Sequence, residues 1–321
     1  MLAYELALRG GTALFRASSQ VTRDEWRDYV FSLQLDHHFP GVQGVGFSLR
    51  IPSADRAEHI RQIQAEGFPD YRVKPAGERE EYTSIIYLEP FDERNRQALG
   101  YDMFSQPTRR EAMERARDTG AAAMSGKVEL VQEISEDKQA GFLLYLPVYA
   151  APGIPATLDA RRETLLGYVY SPFRANDLMH GILPKGGSRV SFNIYDGKQA
   201  AKNALLYDGD AELKLDTAGR EPTFISTTSI DIAGRSWTIT YHSTPSFEAG
   251  FVFTLAHSTI FGGLFLSVLL FVISWMLVTT RQRALSLRKE ITLRKEAEQA
   301  LVVSEEYNRS IVQSSPDCLK V

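Results

Sequence analysis

Apolar positions change their period several times along this chain of 321 residues. Over residues 1–40 they favour helix, with Tyr4, Leu6, Leu8, Ala13, Leu14 and Phe15 interspersed with charges. Thr22 followed by Glu25 is a capping-box pattern that opens a second helical stretch. In it Trp26, Tyr29, Val30 and Leu33 share a face by three- and four-residue spacing, and Pro40 and Gly41 end it. Strands and helices then alternate. GVQGVGFSLRIP reads as a strand closed by Pro52. SADRAEHIRQIQAEGF reads as a helix with Ser53 as cap, Ala57, Ile60 and Ile63 inward and Gly67 as stop. EYTSIIYLEP is a strand. TRREAMERARDTG is a helix in which Thr108 and Glu111 form a capping box, Ala112, Met113 and Ala116 face the core, and Gly120 is the terminator.

Beyond Gly120 the pattern turns to strands: AAAMS into KVELVQEI, then GFLLYLPVYA, then TLLGYVYSPF. The theme recurs in shorter form from Phe173, with FRANDLMHGIL helical and RVSFNIYDG and NALLYDG extended. TFISTTSIDIAGRSWTITYHS follows as a hairpin turning at Ala233-Gly234. Mixed elements followed by a meander predict an α+β protein, antiparallel sheets with helices on one face. The expected division is helices over 1–40, one unit over 41–171 and a second over 172–248.

From Ala249 to Thr280 there is no Asp, Glu, Lys or Arg. About 20 apolar residues in a helix cross the hydrocarbon core of a bilayer, so residues 251–279 are expected to be transmembrane. Arg281, Arg283, Arg288, Lys289, Arg294 and Lys295 follow the span and Glu248 precedes it. Lys and Arg are retained on the cytoplasmic side, which puts residues 1–248 outside the cytoplasm and 281–321 inside, at a cell membrane. Residues 281–306, densely charged and free of Gly and Pro, read as one helix. Its loose stripe of Leu287, Ile291, Ala297 and Leu301 suits a parallel homodimer, although Arg294 occupies a seam position.

Composition adds limits. With 24% charged residues and a net charge of −4, the chain offers no basic patch for nucleic acid. Its one cysteine, Cys318, lies after the span, so the exported part must be stabilised by its core and not by disulfides. The start MLAYELALRGGTALFRASSQ has no uninterrupted apolar core for a signal peptide. Either the internal span alone directs export or a membrane segment precedes this chain, and SSPDCLKV stops where a strand is expected to begin. The chain reads as a piece of a longer protein.

These residues resemble a known family. FPGVQGVGF, GEREEYTSIIYLEP, ALGYDMFSQPTRREAMERARDTG and GFLLYLPVY, within Tyr4 to Tyr170, are similar in order and spacing to the CHASE domain. That domain is the extracytoplasmic sensor of bacterial signalling receptors and plant cytokinin receptors. The resemblance implies a long helical stalk, two tandem PAS-like units, one transmembrane helix and a cytoplasmic signalling helix, with residues 307–321 as the start of a PAS domain. It also implies a small-molecule ligand. Asp102, in LGYDMFS, matches an aspartate that accepts hydrogen bonds from the ligand in cytokinin-binding relatives, and a helix N-cap or turn carboxylate suits the same residue. Thr119 matches a threonine near that pocket or simply punctuates the helix before Gly120. Met124 falls where a backbone group meets the ligand. Tyr82, Tyr101 and Leu144 are expected pocket walls or core.

Catalytic chemistry has little footing. His37, His38 and His59 fit no ligand spacing for a metal. GAAAMSGKVEL is one residue too long between glycines for a phosphate loop, and Val128 sits where Ser or Thr must hold Mg²⁺. There is no nucleophile elbow, phosphoacceptor histidine box or cyclase signature, and no cofactor is expected. The reading is a membrane receptor whose output lies beyond Val321, and the resemblance implies that this output is a sensor histidine kinase, or in second place a diguanylate cyclase or phosphodiesterase. A tethered extracytoplasmic enzyme or a purely structural anchor are the readings of other classes.

Overall fold

The computed structural model describes residues 1–132, 138–183, 190–212 and 221–314. In chain order the elements are α1 (Leu2–Ala17), α2 (Arg23–Ser32), α3 (Leu35–His38), β1 (Val45–Pro52), α4 (Arg56–Ala65), β2 (Glu81–Glu89) and α5 (Glu93–Ala98). Next come α6 (Pro107–Thr119), β3 (Ala123–Met124), β4 (Gly141–Tyr149), α7 (Leu158–Glu163), β5 (Leu165–Arg174) and α8 (Ala175–Ile182). The last group is β6 (Val190–Asp196), β7 (Leu205–Asp208), α9 (Gly209–Glu212), β8 (Ile225–Ile232), β9 (Arg235–Ser243) and α10 (Pro245–Ser314). Two antiparallel sheets result, ordered β2-β1-β5-β4-β3 and β7-β6-β9-β8.

Both sheets lie in one compact unit, Met1–Glu248. The helices of residues 1–40 are structural members of it. Leu8 of α1 and Trp26 and Val30 of α2 are buried against Phe47, Phe142, Leu146, Val169 and Phe173 of the first sheet. The same cluster continues into Leu178 of α8 and into Ile194, Leu206 and Trp237 of the second sheet. α6 covers the opposite face of the first sheet through Ala112, Met113 and Ala116. Every residue of β4 is therefore buried, which explains its unbroken apolar run GFLLYLPVY.

Local signals were read with mixed success. The Thr22–Glu25 capping box is present in both directions. The β8–β9 hairpin turns at Ala233 and Gly234, whose φ angles of 47° and 73° are the left-handed pair that a two-residue hairpin loop requires. Three expectations need correction. α6 begins one turn position earlier than expected: Pro107 is its first residue and the Gln106 side chain caps Arg109 N at 2.8 Å, so Thr108 is already inside the helix. A 3-10 turn over Ser53–Asp55 precedes α4, with no side-chain cap bond. The buried stripe of α4 is His59 and Ile63, leaving Ala57 exposed. In KVELVQEI, Val128 makes a single bridge to Gly141 and no strand follows through residue 132, because Leu130 turns into the core instead; residues 133–137 lie outside the described residues.

The second compact unit, Ala249–Val321, holds the continuation of α10 as far as Ser314. Within it one stretch is long and apolar enough to cross a membrane. Residues 281–314 are helical throughout, so 307–314 extend the helix, while 315–321 lie outside the described residues.

Candidate functional site beneath helix α6

Strand register places a distinctive set of side chains under α6. On β1, Gly46 pairs with Leu88 on one side and Tyr170 on the other, and Tyr170 in turn lies opposite Tyr145. Two residues along, Ser48 pairs with Ile85 and Tyr168; two further, Arg50 pairs with Thr83. Side chains alternate across a strand, so all of these share the α6 face. Gly46 is required there: a Cβ would lie 2.6 Å from the Tyr170 ring.

This face buries polar atoms without satisfying them. Tyr145, Tyr168 and Tyr170 are 0% exposed, and among the described residues their hydroxyls, Ser48 Oγ and Arg109 Nε have no hydrogen-bond partner. Burial pushes all three phenols well above their ordinary pKa, so each hydroxyl stays protonated and available as a donor. Buried polar groups in folded proteins are overwhelmingly paired, so a cluster of exceptions marks a place where something else is bound or moved.

Asp102 borders this set, fully buried. Its Oδ1 accepts from Thr83 N at 2.9 Å and Phe104 N at 3.1 Å and caps the 3-10 turn Met103–Ser105. Its Oδ2 has no hydrogen bond; Arg79 Nη1 stands 3.4 Å away. The two roles expected for Asp102 therefore fall on different oxygens: one is a turn cap, the other is an acceptor in reserve. Tyr82 supports Arg79, donating its hydroxyl to Gly77 O and accepting from Arg79 N, both at 3.0 Å. Tyr101 carries the Arg109 guanidinium 5.0 Å above its ring. Outside Arg79 and Phe104 an open cleft of about 520 Å³ is lined by Arg50, Glu81, Arg110 and Arg117 as well.

Asp102 and Tyr101 are thus brought together, while Tyr82, whose ring packs with Ile51 and Val73 in a separate cluster, reaches Asp102 only through Arg79. The other three expected residues are placed elsewhere. Thr119 is exposed at the far end of α6, its hydroxyl donating to Arg115 O at 2.7 Å; thirteen helical residues put it ~18 Å from Pro107. Leu144 and Met124 turn their side chains into the cluster beneath α1 and α2, and Leu143 and Tyr145 take the α6 face instead. Met124 N donates to Ala233 O at 3.0 Å.

That bond belongs to a clamp between α6, the residues after β3 and the β8–β9 hairpin. Asp196 of β6 binds Arg235 through both oxygens at 2.6 and 2.8 Å and accepts from Lys127 N at 2.8 Å. Arg115 of α6 donates to Gly234 O at 2.7 Å. The hairpin tip is held by the helix that covers the polar layer, and its second strand ends at Ser243, two residues before α10 starts at Pro245.

Sequence reasoning missed Arg79, Arg109 and the three tyrosines. Two signals were available. Tyr168 and Tyr170 stand two apart in a strand, hence on one face, and Arg109 precedes Ala112, Met113 and Ala116 by three, four and seven residues, hence on the core stripe of α6.

Comparison with known proteins agrees with this architecture. The CHASE domain matches residues 19–207, more than half of the chain. Hybrid signal transduction histidine kinase A of Dictyostelium discoideum is 25% identical over 327 residues, covering 90% of this chain and 15% of that protein. Probable histidine kinase 6 of Oryza sativa subsp. japonica is 25% identical over 195 residues, covering 59% of this chain and 19% of that protein. The chain spans less than a fifth of the length of either relative. It belongs to the CHASE domain family.

Proposed function

We propose that this chain is the extracytoplasmic sensing and membrane-crossing segment of a signal-transduction receptor, and that the receptor is a sensor histidine kinase. The observation that carries the sensing role is the layer beneath α6. There Asp102 Oδ2 and three tyrosine hydroxyls are buried with no hydrogen bond among the described residues, inside a CHASE domain. A small molecule with complementary donors and acceptors would satisfy them, and the open acceptor on Asp102 is its anchor. Both named relatives are histidine kinases, which favours kinase output over a cyclase.

In this reading the two sheets are tandem PAS-like units over 41–171 and 172–248. Residues 251–279 cross the membrane, with 1–248 outside and 281–321 inside, and the helix over 281–306 pairs in a homodimer. A ligand signals only if it binds two conformations unequally. Ordering the layer would shift α6, and the Arg115, Met124 and Asp196 bonds would pass that shift to the β8–β9 hairpin and so to α10.

The test exploits the two oxygens of Asp102. The receptor in lipid nanodiscs is screened for small molecules that raise its melting temperature. Asp102→Asn keeps an acceptor for Thr83 N and Phe104 N but converts the other oxygen to a donor. It is expected to fold, with a melting temperature lowered by the loss of the Arg79 pairing, and to lose about ten- to hundredfold in ligand affinity per folded molecule, the worth of a charge-assisted bond. Asp102→Ala orphans two buried amides as well and is expected to lose about 1–3 kcal/mol of stability. Ligand affinity unchanged in a folded Asp102→Asn protein sinks the assignment.

A further inference from the structure

The layer beneath α6 holds a cation that no described residue balances with a counter-charge. Arg109 is 3% exposed, on the core stripe of α6. Its Nη2 donates to Glu129 O at 3.0 Å and its guanidinium lies over Tyr101, but Nε is buried without a partner. Among the described residues it makes no ion pair. Three other shielded arginines are matched: Arg117 with Asp118 at 2.7 Å, Arg174 with Asp177 at 2.8 Å and Arg235 with Asp196 at 2.6 Å. A desolvated guanidinium without a counter-charge is unfavourable, and cation–π contact with Tyr101 offsets only part of that. Burial of Arg109 therefore asks for an anion.

The groups facing it answer in kind. Arg109 stands over Tyr101, which packs against the cluster that holds Tyr145 and Tyr170, and it lowers both phenols against the larger upward push of burial. Tyr145 and Tyr170 are cross-strand partners with ring centroids 6.2 Å apart. Both hydroxyls are unpaired and fully buried. Guanidinium Nε–H and two phenolic O–H groups are thus buried donors on the face that α6 covers, with no acceptor among the described residues. Asp102, an acceptor, lies outside this group, beside Thr83 on the edge strand β2.

We propose that the layer binds a small organic anion, its carboxylate held by Arg109 Nε together with the Tyr145 and Tyr170 hydroxyls. Such charge-assisted bonds are the strong class of hydrogen bond, and the planar guanidinium suits a carboxylate. The inference rests on the reading of this layer as the sensing site and adds the chemical class of what is sensed. A ligand that also reaches Asp102 carries an N–H or O–H donor apart from its carboxylate.

Formate is the probe, being the smallest carboxylate, and the protein is the full chain in nanodiscs. The unfolding midpoint is followed against sodium formate, with sodium chloride at matched ionic strength and formamide as the neutral control. Formate should raise the midpoint and the two controls should not. Arg109→Gln should weaken the apparent formate affinity about tenfold or more, and Tyr170→Phe about threefold. Without formate, Arg109→Gln should melt no lower than wild type, since it removes an unbalanced cation. The Tyr145→Phe, Tyr170→Phe double variant keeps Arg109 and serves if Arg109→Gln does not fold; it should lose about tenfold. Absence of a formate response in wild type, or an equal response in the variants, overturns the proposal. A neutral molecule that stabilises wild type through Asp102 while formate does nothing removes the anion and leaves the sensing role intact. Formate binding that depends on Arg109, in a receptor whose output never responds to small molecules, upholds the site and removes the sensing role.

Discussion

On the face of the first sheet that α1 and α2 cover, Phe142 stacks on Phe173 with ring centroids 4.9 Å apart. Trp26 packs between Phe15, Tyr29 and Tyr87 there. Its one buried indole N–H has a partner, Val45 O at 3.3 Å. On the face that α6 covers, aromatic side chains are just as buried, yet Tyr145, Tyr168 and Tyr170 each carry a hydroxyl with no partner, alongside Arg109 Nε and Asp102 Oδ2. The unpartnered polar atoms are thus concentrated on one face of the sheet, although Arg23 Nη2 and the Trp237 indole N–H packed on Phe142 also lack a partner on the other. Violations of packing rules concentrate where a protein does something other than stay folded. The contrast assigns stability to the first face and binding to the second, and substitutions on each should sort accordingly.

The largest effect is expected on the apolar face. Trp26→Ala removes a fully buried indole and leaves a cavity among Phe15, Tyr29 and Tyr87, for about 3–5 kcal/mol. Chemical denaturation measures it. A loss under 1 kcal/mol would mean that residues 1–40 are a detachable stalk and not part of the core.

Why one face was legible and the other was not follows from burial itself. Strands β1, β2, β4 and β5 stood out as aromatic and β-branched runs, and their positions agree with the sequence. Which residues of β4 point to which face did not, because all nine are buried and the alternation that reveals parity is absent. Leu144 was therefore placed with the site that Leu143 and Tyr145 occupy. Asp102 was found through resemblance, not through any spacing of its own. In the pair Arg109-Arg110 the two residues are chemically identical, and only helical phase separates them. Arg109 shares the stripe of Ala112, Met113 and Ala116; Arg110 bonds Phe104 O and lines the open cleft. The hairpin turn and the Thr22–Glu25 box were legible because they are local. Thr108 and Ser53 have cap chemistry but are not caps, since Gln106 takes that place for α6 and a 3-10 turn precedes α4. The clamp of Asp196 on Arg235 and Lys127 joins residues far apart in sequence and left no trace there.

A middle-sized effect probes a buried polar group that does obey the rules. His59 Nε2 is 2.7 Å from Tyr71 Oη, which is 2.8 Å from Ser84 Oγ. Burial, helped by Arg23, lowers the His59 pKa to about 4. The unfolded value is about 6.5, so the folded protein holds this imidazole neutral. Its contribution to stability is complete above about 6.5 and is lost as pH falls toward about 4, because only the unfolded chain takes up the proton. Between those limits wild type should lose about 2 kcal/mol that His59→Gln does not lose. Parallel denaturation curves for the two proteins across that window would refute the assignment.

The smallest effect, and the one with the telling sign, comes from removing a single hydroxyl on each side of the contrast. Tyr71→Phe deletes an oxygen bonded to both His59 and Ser84, which leaves those two groups short of a partner and should cost about 1–2 kcal/mol. Tyr168→Phe deletes an oxygen that is buried to the same degree but bonded to nothing among the described residues. The ring remains, so no cavity opens, and the desolvation of a lone hydroxyl is relieved. Without ligand, Tyr168→Phe should be neutral or stabilising by up to about 1 kcal/mol. It lies in the row next to the Tyr145–Tyr170 pair, opposite Ser48, so it should also leave the formate response of Arg109 nearly unchanged. Urea denaturation of the two variants beside wild type gives both signs in one experiment. If Tyr168→Phe loses as much stability as Tyr71→Phe, its hydroxyl is satisfied in solution by a tightly held water, and the α6 face is an ordinary hydrated core whose polar atoms wait for no ligand.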